Sequence, residues 1–117
     1  MMTELPPELH HICQAADIPD GTAKRFEVLD RCLALFNAGG HLYATDDRCT
    51  HAGASLAEGF IEGETIECPL HGGRFHLPTG QPLSPPVKVA VYTYPVRVIE
   101  SEVYVEIAGS GEGESGA

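Results

Sequence analysis

The chain has 117 residues, 17 acidic and 7 basic, for a net charge of −10, a balance that disfavours nucleic acid and anionic membranes as partners and favours a protein with a basic face. At this length one domain can bury about two-thirds of its unfolded surface, and a second does not fit. Four cysteines, in a chain whose first ten residues hold Glu4, Pro6, Pro7 and Glu8 with neither a basic start nor a long apolar run, predict metal binding in a reducing cytoplasm rather than disulfides, with no secretory, lipid-anchored or membrane-spanning segment.

In chain order, residues 10–13 alternate loosely and predict an edge strand, followed by a turn-rich connection, Ala16-Asp17-Ile18-Pro19-Asp20-Gly21. Residues 23–29 and 32–38 predict two strands joined at Asp30-Arg31. Gly39-Gly40 then supplies the positive φ of a tight hairpin, from which residues 41–45 return antiparallel. Cys32, beside the apolar run Leu33-Ala34-Leu35-Phe36, and Cys13, after Ile12, read as small buried hydrophobes. His10, His11 and His41 have no cysteine at ligand spacing and are expected to face solvent.

Asp46-Asp47-Arg48 lead into Cys49-Thr50-His51, and after sixteen intervening residues comes Cys68-Pro69-Leu70-His71. Glycine follows each pair, Gly53 after the first and Gly72-Gly73 after the second. Between them Gly59-Phe60-Ile61 run to a turn at Glu62-Gly63, and residues 65–67 form a short strand that delivers Cys68, so the pairs sit at adjacent hairpin tips. Two Cys and two His can close a tetrahedral zinc site, or hold a [2Fe-2S] cluster with thiolates on one iron and imidazoles on the other. Each pair mixes the two ligand types, so each arm can give one ligand to each of two irons; zinc modules more often keep one ligand type within an arm. This inserted piece is too small to hold its shape by apolar burial alone, and metal binding is expected to contribute much of its folding energy.

Arg74-Phe75-His76-Leu77 leave the second arm for a turn at Pro78-Thr79-Gly80. Pro82, Pro85 and Pro86, with Leu83 and Ser84, predict a rigid loop poor in N–H donors. Residues 89–99 alternate as one long strand, Glu100-Ser101 turns, and Val103, Val105 and Ile107 alternate with Tyr104 and Glu106 in the last strand. Residues 109–117 lack an apolar anchor and are expected to be disordered.

With its four ligands, glycines and Pro69 in register, the motif resembles the Rieske iron–sulfur motif, and the likeness extends from about His11 to Ala108. More specifically, the chain is similar to the small ferredoxins of bacterial aromatic-ring-hydroxylating dioxygenases. The resemblance implies an all-β Rieske fold, an antiparallel β-sandwich base with a small cluster-binding subdomain at its tip. It places one domain over residues 1–108, with that subdomain at about 46–87. It also implies one Rieske-type [2Fe-2S] cluster, with Cys49 and Cys68 on the inner iron, His51 and His71 on the outer one through Nδ1, and the proline loop covering it. The implied role is that of a monomeric, cytoplasmic, non-enzymatic one-electron carrier. It would link an NAD(P)H-dependent flavoprotein reductase to a terminal oxygenase.

Two neutral imidazoles leave the oxidised core uncharged, which puts Rieske potentials at about −150 to +300 mV against about −400 mV for four-Cys plant ferredoxins. High-potential relatives carry a disulfide between the arms and hydroxyl donors near the sulfurs. Ala54 and Leu70 exclude the bridge here, and Gly73 and Phe75 lack the hydroxyls, so a potential toward the low end is expected. Gly53, Pro69, Leu70, Gly72 and Pro85 form the expected docking patch, with Glu58, Glu62 and Glu64 as steering charges or an ordinary solvated face. His76, where relatives often carry Asp, reads as a neighbouring or surface residue, not a fifth ligand. Two alternatives stand beside this reading, a small Rieske subunit of another redox complex and a structural zinc module. No G-x-G-x-x-G joins a predicted strand to a helix, so no dinucleotide site is expected.

Overall fold

The computed structural model describes residues 8–50, 53–70, 72–85 and 87–107. Three antiparallel sheets organise them. The first contains β1 (Leu9–Gln14), β10 (Val96–Ile99) and β11 (Glu102–Glu106) in the order β1-β11-β10. The second contains β2 (Ala23–Val28), β3 (Arg31–Ala38), β4 (His41–Asp46) and β9 (Thr93–Tyr94) in that order. The third contains β5 (Phe60–Glu62), β6 (Thr65–Glu67), β7 (Arg74–His76) and β8 (Pro82–Ser84), also in that order. The only helical segments among the described residues are single 3-10 turns at Ala15–Asp17 and Leu56–Glu58.

β3 shows why the sheets stack as they do. A strand with one wet face alternates apolar and polar residues, whereas Leu33, Ala34, Leu35 and Phe36 are all buried. Leu33 and Leu35 belong to a core with Val103 and Val105 of the first sheet, which makes the sandwich base. Ala34, Phe36 and Ala38, on the other face, belong to a second core with Ile66 and Phe75 of the third sheet and with Cys49 and Cys68. Each large side chain sealed there contributes about 1.5–3 kcal/mol. The inserted piece thus has more apolar support than its sequence suggests, because its core is continuous with the back of β3.

Several local expectations need correction. The β2–β3 turn is Leu29-Asp30, with φ +52 and +65, one residue earlier than Asp30-Arg31. Leu33 must face inward opposite Phe26, and that register leaves Val28 and Arg31 as the closing pair. Two residues with positive φ then make the hairpin turn whatever their side chains prefer. Cys32 is exposed, not buried, and its Sγ approaches Glu27 Oε2 at 3.9 Å; the inward run starts only at Leu33. Cys13 is buried as expected.

The long strand over 89–99 is two strands in different sheets. Thr93 and Tyr94 pair with Thr45 and Ala44 of β4. Pro95 has no N–H to continue that ladder, its carbonyl accepts from Glu106 N–H at 2.9 Å, and β10 goes on along β11. Pro82–Ser84, expected as loop, is an edge strand: Pro82 lies opposite Phe75, and His76 N–H donates to the Gln81 carbonyl at 2.9 Å. Proline is tolerated there because its missing donor faces away from the sheet. The β5–β6 turn falls at Gly63-Glu64, and the turn-rich stretch after β1 begins with the first 3-10 turn. The expected tail at 109–117 and Pro86 lie outside the described residues.

Candidate metal centre

Cys49 and Cys68 head two arms built to the same plan. The first leaves β4 for β5, and the second joins β6 to β7. In the first, Cys49 N–H donates to the Ala54 carbonyl at 2.8 Å; in the second, Cys68 N–H donates to the Gly73 carbonyl at 2.7 Å. The residue before each acceptor is a glycine in the left-handed region, Gly53 at φ +74 and Gly72 at φ +72. A side chain there would strain the turn, which explains the glycine in each arm.

Both thiols are sealed in the second core, Cys49 at 2% and Cys68 at 1% exposure. Though far apart in sequence, they lie within hydrogen-bond reach of each other, and the Leu70 backbone N–H points at the Cys68 sulfur. Burial pushes the Cys68 thiol above its ordinary value, the Leu70 N–H opposes that, and the Cys49 thiol beside it adds to the rise. The two cysteines are free thiols. Two buried soft donors side by side, with an N–H aimed at one sulfur, fit the thiolate half of a [2Fe-2S] site. His51 and His71 lie outside the described residues.

Sequence reasoning missed the residue that carries the first arm. Asp47 is buried, and its Oδ1 accepts both the Ser55 hydroxyl and the Ala57 N–H at 2.9 Å. Its own N–H donates to the Cys32 carbonyl at 2.9 Å, and its carbonyl accepts the Leu56 N–H at 2.6 Å. An Arg48–Ser55 bridge closes the arm just inside this knot. Nothing in Asp46-Asp47 tells which carboxylate turns inward. The other, Asp46, accepts the Tyr94 hydroxyl at 2.5 Å, and Arg31 donates to the same oxygen of Tyr94 at 3.2 Å. Burial first, and donation to Asp46 second, push the Tyr94 phenol up to about 12, with Arg31 opposing.

A short strap over residues 87–91 lies against both arms. Val87 is buried and fills the space above Gly73, where an added Cβ would come within 2.5 Å of its Cγ1. Thr50 donates its hydroxyl to the Val89 carbonyl at 2.8 Å. Around this end Gly53, Leu70, Pro85 and Val89 are exposed, while Pro69 and Gly72 are half-buried.

The acidic residues singled out from sequence stand in two places. Glu58 is exposed just ahead of β5. Glu62 pairs with Thr65 at the end of the β5–β6 hairpin remote from Cys68. Glu64 sits in the turn beside it, engaged with the Tyr43 hydroxyl at 3.3 Å and with His76 Nε2 at 3.5 Å. His76 stands half-buried on β7, its Nδ1 at 3.0 Å from Thr79 Oγ1. His11 and His41 are exposed, the former 2.7 Å from Glu102, whereas His10 is half-buried.

The Rieske [2Fe-2S] domain family model matches residues 8–95. The 3-phenylpropionate/cinnamic acid dioxygenase ferredoxin subunit of Shigella boydii serotype 4 (strain Sb227) is 43% identical over 98 residues, covering 83% of this chain and 92% of that one. A chain from the solved complex of reduced oxygenase and oxidized ferredoxin in carbazole 1,9a-dioxygenase matches with a TM-score of 0.81 and 42% identity, over 86% of this chain and 94% of that one. The ferredoxin of carbazole 1,9a-dioxygenase from Nocardioides aromaticivorans IC177 gives 0.80 at 32% identity, over 84% and 96%. With twin arms, buried thiols and these relatives in agreement, the chain belongs to the Rieske [2Fe-2S] domain family, and one such cluster is its cofactor.

Proposed function

We propose that this protein is the ferredoxin of an aromatic-ring-hydroxylating system, carrying single electrons from an NAD(P)H-dependent flavoprotein reductase to a terminal Rieske oxygenase. The observation that carries the reading is the convergence of two matched arms, each headed by a buried cysteine, beneath an exposed apolar surface. Cys49 and Cys68 would hold the inner iron, and His51 and His71 the outer one. When bound, a Rieske cluster takes up and gives back one electron, at a potential of about −150 to +300 mV.

The chain's own residues tune and expose that chemistry. Burial of both thiols keeps water from the sulfurs, and the Leu70 N–H stabilises negative charge on Cys68. Gly73 and Phe75 bring no hydroxyl, so the reduced form gains little beyond backbone donors and the potential falls toward the low end of the range. Leu70, 49% exposed, and Val89, 64% exposed, give a partner an apolar landing surface. Glu58 is the remaining candidate for steering, since Glu62 and Glu64 lie at the remote end of their hairpin. Relatives named as dioxygenase ferredoxin subunits support an oxygenase partner for this chain as well. We assign a single domain to residues 1–108, with the cluster-binding subdomain at about 46–87. The protein acts as a monomer in the cytoplasm.

The test is the EPR spectrum of dithionite-reduced protein together with iron and acid-labile sulfide assays. The reading expects two irons and two sulfides per chain, and an average g below the free-electron value. Zinc without sulfide would refute it. A midpoint above about +100 mV would refute the low-potential assignment alone.

A further inference from the structure

We propose that the Thr50 hydroxyl latches the two ligand arms together through the strap, making Thr50 a positioning residue for the cluster; this rests on reading the arms as its ligands. Thr50 stands between Cys49 and His51, and its hydroxyl donates to the Val89 carbonyl at 2.8 Å, the one side-chain hydrogen bond among the described residues that joins an arm to the strap. Both strap ends are fixed independently of that bond. Val87 is buried over Gly73 of the second arm. Val91 is buried and donates its N–H to the Gly80 carbonyl at 2.9 Å, at a place so tight that an added Cβ on Gly80 would collide with the Val91 carbonyl oxygen.

Between those anchors Lys88, Val89 and Ala90 are exposed. Besides the apolar core that Val87 and Val91 share with both cysteines, the strap is tied to the first arm by the Thr50 hydroxyl. Arms joined by protein contacts keep their spacing whatever the charge at the site, and ligand atoms that move little make electron exchange fast. Both partners of the bond are exposed, and the Val89 side chain is 64% exposed.

The experiment compares holoprotein of the parent, Thr50→Ser and Thr50→Val. Valine preserves the shape and removes the donor; serine restores the donor. Thr50→Val is expected to lose iron to a ferrous chelator under reducing conditions about fivefold faster, the factor equivalent to one hydrogen bond of about 1 kcal/mol. Its reduced EPR lines should broaden, while Thr50→Ser matches the parent in both readouts. Val87→Ala loosens the other anchor and should give the same acceleration, and combining it with Thr50→Val should add nothing further. If Thr50→Val does not load a cluster, Val87→Ala alone decides by its iron-loss rate. Parent-like rates and lines in Thr50→Val, a serine variant as impaired as the valine one, or additive effects in the double variant would each overturn the latch. Those failures occur in a parent that holds iron and sulfide, whereas failure of the carrier reading shows in the parent itself.

Discussion

The two arms share a turn and differ in what holds its ends. In both, the cysteine N–H closes onto a carbonyl just past a left-handed glycine. The second arm is the loop of a hairpin, and the Glu67–Arg74 pair of β6 and β7 fixes its ends by backbone ladder. The first arm passes from one sheet to another, so apart from the Arg48–Ser55 bridge no ladder spans it. A side chain does that work instead: the buried Asp47 carboxylate gathers Ser55 and Ala57 from the far side of the loop. The same local geometry thus needs a costly buried anion where its ends belong to different sheets, and none where they are neighbours. The anion is tolerable because its donors offset desolvation.

Removing a ligand hits both arms alike and has the largest effect. Cys49→Ser and Cys68→Ser are each expected to abolish cluster incorporation, read as loss of acid-labile sulfide and of the reduced EPR signal. One arm retaining a full cluster would show that the thiols are not equivalent donors. The contrast between the arms appears at the next level. Asp47→Ala strands a hydroxyl and an N–H in a half-buried place, at about 1–2 kcal/mol each, so urea denaturation should show a loss of about 2–4 kcal/mol. Asp47→Asn should recover most of it, because its amide oxygen accepts the same two bonds. An alanine variant as stable as the parent would remove the asymmetry.

Motif and hairpin chemistry were legible because they depend on residues that have few other uses. Cys-x-His and Cys-x2-His announce the arms, and Gly39-Gly40 turns with φ +67 and +94 as its composition demands. What stayed hidden depends on tertiary neighbours. Leu29 carries no turn signal, and Asp30 alone does not tell where the turn starts; it starts at Leu29 because Leu33 must face the core. Alternation over 89–99 is genuine, but a period of two does not reveal that the chain changes sheets at Pro95. Cys32 was grouped with the run after it, although burial begins one residue later. Asp47 was the costliest omission for the site, since a buried carboxylate and an exposed one read the same in a polar lead-in.

The turn that the arms share is expected to respond alike in both. Gly53→Ala and Gly72→Ala should cost about the same, about 1–2 kcal/mol each, because both force a side chain into the left-handed region. Crowding does not separate them: an added Cβ meets the exposed Arg48 guanidinium at 3.2 Å in one and Glu67 Oε2 at 3.4 Å in the other. Thermal denaturation of the paired variants tests this, and unequal losses would mean that the turns are alike only in outline. At the root of the first arm, Tyr94→Phe removes the bond to Asp46 and should cost about 1 kcal/mol. Tyr94 titrates at about 12 when folded, against about 10 in an unfolded chain. The folded state therefore holds its proton more tightly, and this contribution is intact below about pH 10 and lost as pH rises toward 12. The phenylalanine variant should lack that part of the alkaline decline.

The smallest effect is expected where the second arm does have a side-chain tie. Arg74 Nε lies 3.3 Å from Glu67 Oε1 across the mouth of the loop, but both side chains are partly in water, 46% and 33% exposed. An exposed pair of this kind contributes about 0–1 kcal/mol and is screened by salt. Glu67 and Arg74 also face each other as a ladder pair, so their backbones stay in register without the charges. Glu67→Gln should therefore cost at most about 0.5 kcal/mol at low ionic strength and less in molar salt, with iron and sulfide content unchanged. A loss comparable to that of Asp47→Ala, or any loss of cluster, would mean that the second arm too depends on its side chains and that a backbone ladder does not suffice to hold a ligand loop.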